Sequence, residues 1–231
     1  MSNAVAHAGA HTGAHGHAEH HPKLQHHFET MQQQKEASTL GMWVFLLTEV
    51  LFFGGLFFAY MLYRIWYFDA FAEASRSLGI ELGAFNTAVL IGSSLTMAMA
   101  VRAAQLGNRN AQVIFLLLTM LLGAAFLGIK AIEYGDKFEH HLVPGPNFAF
   151  EDARYARGAQ IFFSVYFAMT GMHALHMVIG LGLLTWLLVG ALRHRFTAAW
   201  NTPVELVGLY WHFVDIVWIF LFPLLYLVGH H

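Results

Sequence analysis

The chain has 231 residues, 57% apolar and 11% charged, with a mean hydropathy of +0.51 and a formal net charge of −2. Soluble domains carry about 25% charged residues, so a water-exposed globular protein is excluded and an integral membrane protein is indicated. The near-neutral charge without a long basic run excludes nucleic acid as a partner, and the lack of cysteine excludes disulfides, thiolate metal sites and cysteine nucleophiles.

Residues 1–39 form a polar tail with eight of the sixteen histidines. It lacks the basic stretch and apolar core of a cleavable signal peptide. His7, His11 and His15 would align on a helix, but Gly9, Gly13 and Gly16 oppose one. A disordered tail is expected, with weak metal binding as the alternative. Residues 40–231 read as one all-α domain, an integral membrane bundle of five transmembrane helices.

A span needs roughly 20 mostly apolar residues, and five segments supply them, at about 40–63, 82–104, 111–132, 159–192 and 203–228. The second carries Gly83, Ala84, Ala88, Gly92, Ser93 and Ala100, small residues that let helices approach closely. The loops at 102–110 and 193–202 are short, basic and free of acid, whereas 64–81 and 133–158 mix both signs. Lys23, Lys35, Arg102, Arg109, Arg193 and Arg195 lie on one side of the membrane. Arg64, Arg76, Lys130, Lys137, Arg154 and Arg157 balance them on the other. Short loops weigh most in the positive-inside rule, so the N-terminus is expected inside and the C-terminus outside. Pro144, Gly145 and Pro146 break the long outer loop, and a short amphipathic helix is predicted over 150–158.

An ionisable group at mid-membrane costs roughly 2.5–3.5 kcal/mol on insertion scales. The spans nevertheless hold Glu49, His173, His176, Glu205, His212 and Asp215, with Glu133 near the end of the third. His173 and His176 are three residues apart, as are His212 and Asp215, and Glu205 is seven before His212. Each set shares a helix face. One reading is a metal or haem centre. It is disfavoured because three histidines lie within the spans and two on one face cannot ligate opposite sides of a haem. The favoured reading is a polar clasp in which His173, His176, Glu205, His212 and Asp215 share hydrogen bonds between the fourth and fifth spans. Glu49 has no base nearby in sequence, and reads either as a proton-handling or lipid-contacting acid or as a carboxyl bonded to a helix backbone. No GxxxxGK[ST], GxSxG or HExxH motif is present.

These residues stand in segments that resemble subunit III of the haem–copper terminal oxidases, most of all bacterial cytochrome c oxidase. "GMWVFLLTEVLFFGGLFFAY" is similar to the family's buried-glutamate helix, "FNTAVLIGSSLTMAMAV" to its Asn-Thr helix, and "GIKAIEYGDKF" to its Glu-Tyr helix end. "TGMHALHMVIG" and "YWHFVDIVWIFLF" are the most specific pieces. The matching segments span 40–229. Long family members have two further helices before the glutamate helix, so the resemblance implies the short five-helix form. It also implies a multi-pass protein of the bacterial inner membrane that carries no redox centre itself. Haem and copper are then expected in partner subunits of a proton-translocating complex that reduces oxygen to water, with cytochrome c binding elsewhere in that complex. By resemblance the chain packs on catalytic subunit I, binds phospholipid and supports proton uptake and durability. Glu49 matches the family's membrane-buried glutamate, and His173, His176, Glu205, His212 and Asp215 match its polar positions. The alternatives are a quinol oxidase subunit III, a nitric oxide reductase accessory protein, and a stand-alone haem or metal membrane protein.

Overall fold

A computed structural model of the chain describes residue 25 and residues 28–198 and 200–230. Most of the His-rich tail, including His7, His11 and His15, lies outside the described residues. The helices are α1 (Met31–Trp66), α2 (Phe68–Arg76), α3 (Ile80–Gln105), α4 (Arg109–Glu139), α5 (Ala156–Leu192) and α6 (Thr202–Tyr226), followed by one 3-10 turn at Val228–His230. All but α2 are long and apolar enough to cross a membrane, and their lengths exceed the roughly 30 Å hydrocarbon thickness at about 1.5 Å per residue. Among the described residues the β-type pairing is an isolated bridge between Thr197 and Trp200. The architecture is the predicted all-α bundle of five spanning helices.

The chain divides at Leu40. Before it, the first turns of α1 are polar: Thr30 Oγ1 accepts from the Gln33 amide at 3.1 Å, and Gln32 Nε2 donates to Glu36 at 2.8 Å. Helix therefore starts nine residues ahead of the expected span, because a capped polar segment continues the apolar one without a breaker. From Gly41 onward the helices build one core.

α3 and α4 form an antiparallel hairpin with the most extensive helix contact in the bundle. The turn between them uses Gly107 at φ +69°, and Asn108 caps α4 by accepting from the Ala111 amide at 3.2 Å. Gly83, Ser93 and Ala100 of α3 are buried as expected, but Ala84 and Ala88 are exposed. The small-residue stripe is thus divided between the interior and the outer face. α6 is the most enclosed span, half buried along its most apolar stretch, against 11% for α1. The Trp211 ring of α6 lies between α4 and α5, where a Cβ at Gly123 or at Gly180 would stand 2.8 Å from it. Those glycines admit the indole into the centre of the bundle.

Two outer-loop expectations differ. The segment 64–81 contains α2, whose nine residues bury Ala70, Phe71, Ala74 and Ser75. It packs on α5 at Gly158, where any Cβ would collide with Ala70. A helix this short falls below span length, and its apolar face is legible only once α5 supplies the opposing surface. The predicted amphipathic helix at 150–158 does not form; bends and turns occupy 151–155 and α5 begins at Ala156. Asp152 instead accepts from the Arg154 backbone amide at 2.9 Å and pairs with its guanidinium at 2.6 Å. Such side-chain-to-backbone bonding competes with helix. The same Arg154 bonds hold the Asp152 carboxyl below its usual range.

Candidate functional site

The buried polar groups form separate stations rather than one clasp. Nearest the middle of α1, Glu49 projects toward α5. Its Oε2 lies 3.1 Å from His176 Nε2, and His176 Nδ1 faces its own helix carbonyl at Met172, 2.8 Å away. Phe53 stacks beside the imidazole at 5.3 Å, and the Tyr210 hydroxyl donates to the His176 carbonyl at 3.1 Å. Sequence reading left Glu49 without a partner; the base it meets lies 127 positions away.

His173, one turn before His176, looks elsewhere. It is fully enclosed between Phe126 of α4, at 5.4 Å, and Trp218 of α6, at 5.2 Å. Neither ring nitrogen has a hydrogen-bond partner among the described residues. Two residues 300° apart around a helix differ by 60° in direction, and at this junction 60° separates an α1 neighbour from an α4–α6 neighbour.

On α6, His212 and Asp215 also fail to meet α5. His212 Nδ1 lies 2.7 Å from Ser94 Oγ of α3. Asp215 is buried, and neither of its carboxyl oxygens makes a hydrogen bond of normal geometry among the described residues, although Ser94 stands close enough to act on it electrostatically. Glu205 accepts from Gln105 Nε2 of α3 at 2.9 Å, near the start of α6. The predicted clasp is therefore corrected. The α6 stripe faces α3, so its polar residues are stitched to α3 side chains, and His176 is drawn instead to α1.

The densest polar cluster is one that sequence reading largely missed. Glu133 and Lys130 of α4 pair at 2.9 Å and are each about 95% buried. Glu133 Oε1 accepts from Tyr166 at 2.7 Å and from the Tyr226 hydroxyl. Lys130 Nζ donates to the Tyr226 oxygen at 2.7 Å and sits 4.8 Å above the Trp218 ring. Lys130 was counted among the outer loop cations. α4 instead runs to Glu139, past the expected end near 132, and Lys130 lies inside the bundle about 31 Å along the helix. The opposite charges three residues apart were the available signal. Tyr166 and Tyr226 gave none, since tyrosine is ordinary in apolar helices. Lys137, likewise counted outside, is buried and donates to the Ser77 carbonyl at 2.9 Å.

Among the described residues no three His, Asp or Glu side chains converge in a way that could hold a metal ion. The stations are suited to proton exchange and helix cohesion, the chemistry of paired imidazole, carboxyl and phenol groups.

The sequence model of a family described as cytochrome c oxidase subunit III matches residues 21–230 of this chain. A cytochrome c oxidase subunit 3 of Alkalihalophilus pseudofirmus is 32% identical over 209 residues, covering 89% of this chain and 94% of its own. A probable cytochrome c oxidase subunit 3 of Nocardia farcinica is 35% identical over 190 residues, covering 82% and 87%. A quinol oxidase subunit 3 of Bacillus subtilis is 30% identical over 211 residues, covering 86% and 92%.

Proposed function

The chain belongs to the cytochrome c oxidase subunit III family, and from that premise we propose that it is the non-redox subunit III of a proton-translocating cytochrome c oxidase of the bacterial inner membrane. As a family member it is a membrane subunit of a terminal oxidase complex, associated with other oxidase subunits. The finer reading is that it packs on catalytic subunit I, which with other partners carries the haem and copper. It binds phospholipid and sustains proton uptake while holding no catalytic centre of its own. Cytochrome c docks elsewhere on the complex. The cytochrome c reading is favoured over quinol by Glu49 and the surrounding "TEVLFF". A turnover assay of the purified complex with reduced cytochrome c against a quinol decides between the two donors.

The observation that carries the reading is the Glu49–His176 pair. A carboxyl within an apolar span costs energy unless it is bonded, and here it meets an imidazole across two helices while retaining 19% side-chain exposure. An accessible acid joined to a base can take up and release protons without a metal. Orientation follows the same logic. Lys130 and Lys137 are buried, and Arg76 and Arg154 are paired with Glu73 and Asp152 at 2.7 and 2.6 Å. Arg102, Arg193 and Arg195 in the short loops are exposed. With buried and neutralised cations removed from the count, the short loops lie on the cytoplasmic side, the N-terminus inside and the C-terminus in the periplasm.

Glu49→Gln tests the role. The amide keeps the size and can still hydrogen-bond His176, so the subunit stays in the complex at normal stoichiometry. Proton uptake or the number of turnovers before inactivation changes. Loss of the subunit in this variant would make Glu49 structural and defeat the reading.

A further inference from the structure

α3 and α6 are joined along their length by hydrogen bonds between side chains. Gln105 bonds Glu205 at 2.9 Å, Ser94 bonds His212 at 2.7 Å, Trp211 Nε1 donates to Ser93 at 3.0 Å, and Trp218 Nε1 donates to Thr87 at 3.0 Å. Trp211 and Trp218 face inward. Ser94 and His212 are half-buried and open to the outer surface, flanked by the exposed Ile91 and Leu95 of α3 and Ile216 and Ile219 of α6.

His212 stands ten residues after the start of α6, about 15 Å along the axis and so near the middle of a roughly 30 Å hydrocarbon layer. Its Nδ1 is used by Ser94. Whichever tautomer is present, Nε2 is a second strong donor or acceptor, and no hydrogen bond reaches it among the described residues. Other polar groups on the bundle's surface are treated differently. Thr48, Ser164 and Thr185 are exposed hydroxyls, and each donates to a carbonyl of its own helix, at 2.6, 2.7 and 2.7 Å. His176 satisfies both ring nitrogens within the chain. Lipid tails offer no hydrogen bond, and an amide-like group in hydrocarbon without one costs several kcal/mol. Water and phosphate headgroups do not reach this depth.

We propose that the α3–α6 seam around His212 and Ser94 is a docking surface for a transmembrane helix of a neighbouring oxidase subunit, which brings a polar side chain to His212 Nε2. This rests on the proposed role as a subunit of an assembled oxidase. The occupant spans the membrane because the seam's open group lies at mid-depth. It carries a hydrogen-bonding group because His212 needs one, and apolar flanks because Leu95 and Ile216 surround the ring.

The chain has no cysteine, so Leu95→Cys and Ile216→Cys place single thiols on the seam, and Ile179→Cys provides a control on the exposed face of α5. Each is labelled with a photoreactive maleimide in the purified intact complex and illuminated. The two seam positions should crosslink to a transmembrane segment of another oxidase subunit, in at least tenfold excess over the Ile179 control. Adducts with lipid alone, or with a second copy of this chain, would overturn the proposal while leaving the subunit role intact. His212→Phe keeps ring volume and removes both nitrogens. At a membrane hydrogen bond's typical strength it should raise loss of the subunit during detergent washing roughly threefold, with His212→Gln closer to wild type. Wild-type retention in His212→Phe would also overturn it. If no other oxidase subunit copurifies with the wild-type chain, the parent role falls and the seam assignment falls with it.

Discussion

Lys130→Met removes the cation from the most enclosed ion pair in the bundle. Lys130 lies 2.9 Å from Glu133, and both side chains are 5% exposed. Breaking a buried pair from one side costs about 3–5 kcal/mol, because the remaining charge is stranded. After Lys130→Met, Glu133 still receives bonds from Tyr166 and Tyr226, so the loss should lie near 3 kcal/mol. Glu133→Leu leaves Lys130 with phenol oxygens and ring faces as its partners, and the loss should lie near 5 kcal/mol. The double variant strands no charge and replaces the pair with apolar groups of similar volume. It should fall within about 2 kcal/mol of wild type, since such replacements are often neutral. The assay is unfolding of the purified chain in mixed micelles of rising denaturing-detergent content, followed by tryptophan fluorescence. Trp218 lies under the Lys130 ammonium and reports the site directly. A double variant destabilised by the sum of the singles, about 8 kcal/mol, would refute the reasoning and show the two residues to act independently.

Two further outcomes are expected in the same assay. Gly180→Ala places a methyl 2.8 Å from the Trp211 ring; it should cost about 1–3 kcal/mol, with partial relief when Trp211→Phe is added, and an unperturbed single variant would show that the indole can move aside. Asp215→Leu deletes a buried carboxyl that has no hydrogen bond of normal geometry among the described residues. The isolated chain should be as stable as wild type or more so, so weakened assembly of the complex, the result expected from the sequence, would then locate the role of Asp215 in the partner contact. A loss of more than about 1 kcal/mol in the isolated chain would instead reveal a partner for Asp215 within the fold.

The membrane class, the five spans and the list of charged residues within them follow from composition and run length, because hydrocarbon imposes a minimum length of apolar helix whatever the fold. The family resemblance also rests on local strings of sequence and needed no tertiary information. Which polar groups meet is different. Helical phase put His173 beside His176 and His212 beside Asp215, and it was right about the faces within each helix. It could not say what stood opposite. His176 meets Glu49 across 127 positions, His212 meets Ser94 across 118, and Glu133 meets Tyr226 across 93. α2 and the inward position of Lys130 were hidden for the same reason: a nine-residue helix and a cation near a helix end acquire meaning from the surface packed against them. Hydropathy is a property of each segment against lipid, so sequence alone determines it. Hydrogen-bond partnership between helices depends on rotation and neighbour order, which only the packed bundle decides.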